Sequence, residues 1–211
     1  KADGWAVEAR VYAEDPARGF LPSIGQLVRY REPAGEGVRV DSGVDEGGEI
    51  SMYYDPMIAK LVAHAPTRDA AIDRLHLALD HYEIDGIVSN RQFLSAVLEN
   101  GSFRSGDLTT GVIDAEFEGD FVAGPPSDAA TARLVALGTA VVALQMEERH
   151  AGDPDTGFVV ISQDGNRRIV ELGHVDKHSA KLTVDGKGFT LLGLLQAPVY
   201  LFDGTINEEP V

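Results

Sequence analysis

Residues 118–128 read EGDFVAGPPSD, with two glycines, two prolines and three acids in one short run. Proline removes a backbone donor and glycine costs backbone entropy, so no helix or strand runs through this stretch. The chain is therefore expected to fold in two pieces, 1–118 and 128–211, joined by a linker at 119–127. A length of 211 residues suits two small cores.

The first piece begins strand-rich. In VEARVYAED, Val7, Ala9 and Val11 alternate with Glu8, Arg10 and Tyr12, the period of a half-buried strand. Short β-type runs follow in QLVRYRE and VRVDSG, with Gly and Pro between them. MIAKLVAHA, Met57 to Ala65, is more continuously apolar, as in a strand covered on both faces. Thr67 then offers an N-cap, and Ile72, Leu75, Leu79 and Tyr82 form one stripe of a helix. EIDGI is a short extended piece. Asn90 is expected to cap a second helix whose face is Phe93, Leu94, Val97 and Leu98, with Gly101 just past its end. DLTTGVIDAEF is a third, weaker helix.

The second piece opens with DAATARLVALGTAVVALQMEERHAG. Leu134, Leu137, Val141 and Leu144 make a stripe that Val135 and Val142 widen, so this helix is expected to be buried on most sides. Five strand-like runs come next: FVVIS, RRIVEL, SAKLTV, GFTLLGLL and PVYLF. QDGN and VDGKG carry hairpin-turn chemistry between them. A helix followed by short antiparallel strands implies a sheet wrapped around that helix. The last residues, DGTINEEPV, show no closing element. The fold class is thus α+β: a mixed or antiparallel sheet with helices, then a long helix wrapped by antiparallel strands.

Composition narrows the chemistry. There is no cysteine, hence no disulfide, thiolate ligand or thiol nucleophile. Acids number 34 against 18 bases, a net charge of −16, which disfavours nucleic acid and anionic membranes as partners. No apolar run approaches 18 residues, so no membrane-spanning helix is expected. Lys1, rather than Met, at the start suggests the middle of a longer chain, with no signal peptide. The six histidines show no metal spacing. His76 and Asp80 lie four apart on one helix, which a metal could use, but a surface pair explains them as well. No P-loop, G-x-S-x-G or G-x-G-x-x-G is present.

Two positions stand out. In MYYDPMIAK an acid and a proline abut a buried strand, so Asp55 either shapes the start of that strand or faces a site at its end. Arg10 places a permanent charge in mid-strand. Alternation alone makes it an outward charge paired with Glu8 or Glu14.

Five segments taken together carry more: GWAVEARVYAEDP, FLPSIGQLVRYREP, GVRVDSGV, YYDPMIAKLVAHAPTRDAAIDRLHLAL and YEIDGIVSNRQFLSAVL. In this order they resemble the C-terminal lobe of biotin carboxylase, the ATP-using unit of biotin-dependent acyl-CoA carboxylases, over Trp5 to about Phe117. SGDLTTGVIDAEF is most similar to the propionyl-CoA carboxylase α-subunit branch. The helix-then-strands layout of 128–211 is similar, by architecture, to that family's BT domain. There a helix is held in a β-barrel that joins the α subunit to the carboxyltransferase β subunit.

The resemblance implies a function. ATP and bicarbonate form carboxyphosphate, which yields CO₂ and phosphate, and biotin is then carboxylated. Arg10 matches the arginine that stabilises the enolate formed in that step; in the family the residue before it is normally cysteine, here Ala9. Arginine suits the task because it stays protonated and presents a planar fork of donors. Asp55 matches an acid near the same substrate site. Arg39 matches an arginine at the dimer interface of free-standing biotin carboxylases, although the neighbouring family aromatic is here Glu36 and a cross-strand charge explains Arg39 equally.

The resemblance places ATP and Mg²⁺ in an ATP-grasp region upstream and biotin on a separate carrier domain downstream. Neither biotin, nucleotide nor metal is expected to be held by these residues alone, and alone they are not expected to carboxylate biotin. The implied partners are the carboxyltransferase β subunit and the biotinyl carrier domain, in the bacterial cytosol or the mitochondrial matrix. A non-catalytic interaction module, or the α subunit of a 3-methylcrotonyl-CoA or acetyl-CoA carboxylase, remains open at this point.

Overall fold

The computed structural model describes residues 3–117, 121, 124, 126–149, 157–161, 167–193, 202 and 204–210. The chain divides into two compact units, Lys1–Gly124 and Pro125–Val211. Most of the expected linker falls outside the described residues.

The first unit starts with β1 (Trp5–Tyr12), β2 (Glu14–Asp15), β3 (Leu21–Pro22), β4 (Gly25–Gln26), β5 (Arg29–Arg31), β6 (Val38–Ser42), β7 (Glu49–Ile50) and β8 (Met57–Ala65). Its main sheet is antiparallel in the order β1-β8-β6, and β2–β3 and β4–β7 form two-stranded pairs. The apolar run Met57–Ala65 is the central strand, but it is covered on one face only: Ala59, Leu61, Ala63 and Ala65 are buried, whereas Lys60 and Val62 are half-buried and His64 is exposed. In register, Leu61 of β8 pairs with Ala9 on one side and Val40 on the other, and Lys60 pairs with Arg10 and Asp41, so apolar and charged rows alternate across the sheet.

α1 (Arg68–Asp80) covers the apolar side. Thr67 caps it, its Oγ1 accepting from the Ala70 N–H at 3.2 Å. Ile72, Leu75, Leu79 and Tyr82 are all essentially fully buried, as the stripe required. β9 (Glu83–Asp85) pairs with β5. Next come α2 (Arg91–Glu99), α3 (Gly101–Ser105) and α4 (Val112–Glu116). Phe93 and Leu98 of α2 are buried.

Gly101 lies just past the end of α2, as expected, without closing α2 itself. Asn100 ends it and starts α3, its Oδ1 accepting from the Ser102 and Phe103 N–H groups at 2.9 and 3.1 Å. Asn90 occupies the N-cap position of α2 without capping it, because its side chain is bonded elsewhere. His76 contacts Glu99 at 3.4 Å rather than Asp80.

Among the described residues the second unit holds α5 (Asp128–Arg149) and six strands: β10 (Gly157–Ile161), β11 (Arg167–Val175), β12 (Ser179–Val184), β13 (Lys187–Gly193), β14 (Gly204–Ile206) and β15 (Glu209–Pro210). They form one antiparallel sheet in chain order. Asp185 and Gly186 both take positive φ, the two-residue hairpin that VDGKG foretold. Asn207 and Glu208 do the same, so the described part of DGTINEEPV, residues 204–210, forms a hairpin rather than an open end. No glycine marks that turn, which hid it in the sequence. QDGN, and PVYLF up to Leu201, lie outside the described residues.

The packing of α5 departs from its leucine stripe. The face on the sheet is small: Ala132, Val135, Ala136, Ala140 and Ala143 are buried, with Thr139 among them. Leu134 is 61% exposed and Val142 46% exposed, so the helix is not buried on most sides. Alanines let a helix axis lie close to a sheet, and the larger side chains then flank the contact. Asp128–Met146 is also long and apolar enough to cross a membrane by length and composition, with a mean hydropathy of 1.5, contrary to the sequence expectation. The leucines, valines and alanines of Leu134 to Leu144 supply that hydropathy, and Gly138 and Thr139 only lower it. Its alanine face packs on the sheet, and 33% of the segment is buried.

Candidate functional site

β1 is an edge strand of its sheet and carries Arg10 at its middle, on the face turned away from α1. The Arg10 side chain is 61% exposed, and its Nε donates to Glu8 Oε1 at 3.3 Å. Glu8, and after it Tyr12, hold the guanidinium even more firmly in its charged form than usual. The acid and the phenol that flank Arg10 in sequence therefore flank it in space, because residues i and i+2 of a strand share a face.

Beside this strand lies a cavity of about 410 Å³. Arg10, Glu8, Tyr12 and Glu14 supply its polar wall, and Phe93, Leu94, Val97 and Leu98 of α2 supply an apolar one. Burial, and then the negative charge of Asp55, push the Glu14 carboxyl above its ordinary range. The lining holds no serine, cysteine, histidine or lysine that would act as a nucleophile or a base. A fixed cation beside an apolar wall stabilises negative charge that develops next to it.

The three residues singled out from sequence do not converge. Asp55 is exposed just before β8, where its Oδ1 accepts the Met57 N–H at 3.0 Å. That turn also brings the Pro56 carbonyl to the Ala13 N–H at 2.9 Å, joining the start of β8 to the end of β1. Arg39 stands on the outer face of β6, bonded to Asp41 at 3.2 Å. It faces Val62 of β8, which in turn faces Glu8, so it lies one row from Arg10 and a strand beyond β8. Only Arg10 of the three lines the cavity. Among the described residues no group of three or more acidic or histidine side chains is arranged to hold a metal ion.

Sequence reasoning missed Asn90, which also lines the cavity and is 6% exposed. Its Oδ1 accepts the Tyr12 N–H at 3.0 Å, its Nδ2 donates to the Arg10 carbonyl at 3.1 Å, and its own N–H donates to the Tyr12 carbonyl at 3.1 Å. The only signal was an asparagine ahead of a helix, which reads as a cap.

Residues 8–115, just over half of the chain, match the family described as "Biotin carboxylase C-terminal domain". The chain is 54% identical over 141 residues to the propionyl-CoA carboxylase alpha chain of Ruegeria pomeroyi, covering 57% of this chain and 21% of that one. It is 35% identical over 232 residues to the mitochondrial propionyl-CoA carboxylase alpha chain of Caenorhabditis briggsae, covering 99% of this chain and 31% of that one. It thus spans less than a third of either relative's length. Among solved structures it is similar to the biotin carboxylase domain dimer of Hydrogenobacter thermophilus 2-oxoglutarate carboxylase, in complex with MgADP and bicarbonate. The identity there is 39% and the TM-score 0.56, over 59% of this chain and 27% of that one.

Proposed function

We propose a function on one premise: this chain belongs to the biotin carboxylase C-terminal domain family. Residues 1–118 supply one wall of a biotin carboxylase site in the α subunit of a biotin-dependent carboxylase of the propionyl-CoA type. Residues 128–211 act as a BT-like domain that docks the carboxyltransferase β subunit, with 119–127 as the linker. The observation that carries the reading is Arg10: a guanidinium fixed on β1 between Glu8 and Tyr12, at the rim of a half-apolar cavity, inside the span that matches the family.

The cavity suits biotin, whose fused rings are mostly apolar with one polar ureido edge: α2 offers the apolar wall and Arg10 the donors. Biotin, presented on its carrier domain, supplies the nitrogen that takes up the carboxyl group. Arg10 keeps a positive charge where negative charge builds up during that transfer, and does so at any working pH because it does not deprotonate. Glu8 holds the guanidinium in place from its own face of the strand. Asp55 supports the substrate site from the start of β8 by fixing the turn that ties β8 to β1. Arg39 is left to contact between subunits and takes no part in the chemistry. ATP and Mg²⁺ are bound by parts of the subunit other than these residues, and the enzyme works in the bacterial cytosol or the mitochondrial matrix. Acyl-CoA choice belongs to the β subunit.

The test is phosphate release from ATP. The full-length subunit, given bicarbonate, should release phosphate at a rate that rises on adding biotin, and residues 1–211 alone should release none. Release by the full-length subunit that ignores both biotin and bicarbonate would overturn the reading.

A further inference from the structure

We propose that Asn90 is the positioning residue for Arg10: it holds the free edge of β1 and so sets the direction in which the guanidinium leaves the sheet. The proposal rests on the role given to Arg10 above.

An edge strand presents a row of backbone N–H and C=O groups with no neighbouring strand to bond them. On the free edge of β1 these include the Arg10 carbonyl and both polar groups of Tyr12. Asn90 bonds all three, at 3.1, 3.0 and 3.1 Å, and so serves as a one-residue substitute for a strand. The bonds also fix the amide's orientation, because a carbonyl requires the Nδ2 and an N–H requires the Oδ1.

The clamp sits where the strand is least secure. The ladder between β1 and β8 shifts register between Val11 and Tyr12. The residue skipped is Ile58 of β8, so the break loosens the ladder that holds the end of β1. With its carbonyl turned outward to Asn90, Arg10 forms with Lys60 the non-hydrogen-bonded kind of antiparallel pair, in which side chains stand closest. Two cations facing each other there repel. The Arg10 side chain cannot resist this by itself, since it is 61% exposed and rests on a surface pair with Glu8, a kind of contact worth little. The backbone must hold its direction, and Asn90 holds that backbone.

Asn90 also forgoes its local task. It sits at the N-cap of α2 with φ −78° and ψ 10°, and its side chain makes no capping bond. The residue is buried and turns its side-chain amide and its own N–H to Arg10 and Tyr12, while its carbonyl accepts the Leu94 N–H of α2.

A structural role alone would make Asn90 matter to stability and to every partial reaction alike. A positioning role makes it matter only through Arg10, so a double-mutant cycle separates the two. In the full-length subunit with its carrier domain, four variants are compared with the wild type: Asn90→Ala, Asn90→Asp, Arg10→Ala and the double Arg10→Ala/Asn90→Ala. The kcat and KM of biotin-dependent ATP turnover are measured, together with thermal midpoints. Asn90→Ala should lower kcat about tenfold or more, with the KM for ATP unchanged, the scale of a misplaced catalytic group. Asn90→Asp keeps the acceptor for Tyr12 but loses the donor to Arg10, and should show a loss of the same kind. In the Arg10→Ala background, Asn90→Ala should add less than about a twofold further loss. Equal losses in both backgrounds, an unchanged kcat, or failure of both single Asn90 variants to fold would each overturn the proposal. Full turnover by Arg10→Ala would instead remove the role of Arg10 itself, and the positioning role with it.

Discussion

Tyr82 gives the first unit a polar point inside its core. Its side chain is fully buried in the α1 stripe, and its hydroxyl lies 2.5 Å from that of Tyr30, which also meets Ser42 at 2.7 Å. Burial, first of all, pushes the Tyr82 phenol far above its usual range, so it stays neutral and available for that bond. Tyr82→Phe deletes one partner and leaves Tyr30 to Ser42; a loss of about 1 kcal/mol in urea unfolding is expected. Gly86 is tighter. Its φ is +101°, and a Cβ there would stand 2.1 Å from the Gln26 carbonyl. Gly86→Ala should therefore cost more, about 1–3 kcal/mol by the same measurement, because both the conformation and the space reject it. The Ile72-to-Tyr82 stripe was legible in the sequence because its information is local and periodic. The Asn90 clamp was not, since its partners lie 78 and 80 positions away and nothing in the chain marks an asparagine that abandons its cap.

α5 shows the same limit at the level of an element. Its existence and length followed from helical periodicity, but the face it buries did not. Leucines weigh most in a hydrophobic stripe, yet close approach to a sheet selects alanines. Ala140→Leu should therefore overpack the interface and cost about 1–3 kcal/mol, whereas Leu134→Ala should change stability by less than about 0.5 kcal/mol. Thermal unfolding of the two variants checks this, and the reverse ranking would restore the leucine stripe. The turns of the second unit carry a pH dependence. Asp176 accepts from the His178 and Ser179 N–H groups, which with His174 hold its carboxyl far below the ordinary range. Asp185 is lowered by the Ile169 N–H and then by Arg168. The folded state thus binds fewer protons than the unfolded one near their ordinary value. Their contribution is fully present above about pH 4 and is lost as pH falls through the folded-state values. Asp176→Asn should flatten that acid limb in a pH series of thermal midpoints; an unchanged limb would remove Asp176 from the account.

For the molecule as a whole, the net charge is −16, whereas the proposed reaction has anionic substrates. Arg10, Lys60 and Arg39 stand on one outer sheet face, set against Glu8 and Asp41. On that face the excess of negative charge is locally reversed. The Gly- and Pro-rich run read as a linker holds Gly124 and Pro125, where the chain divides into two compact units; the family was legible from five ordered segments. What alternation alone left undecided was whether Arg10 is a surface charge or a working one. Its pairing with Glu8 is the one that alternation expected, and the proposal takes the second reading on its cavity. The most direct measurement is biotin-dependent ATP turnover by the full-length subunit carrying Arg10→Ala. The account predicts a loss of about a hundredfold or more, the scale of a deleted anion-stabilising donor. Turnover within about threefold of the wild type, far short of that scale, would contradict it and leave Arg10 a charge on the surface of a strand.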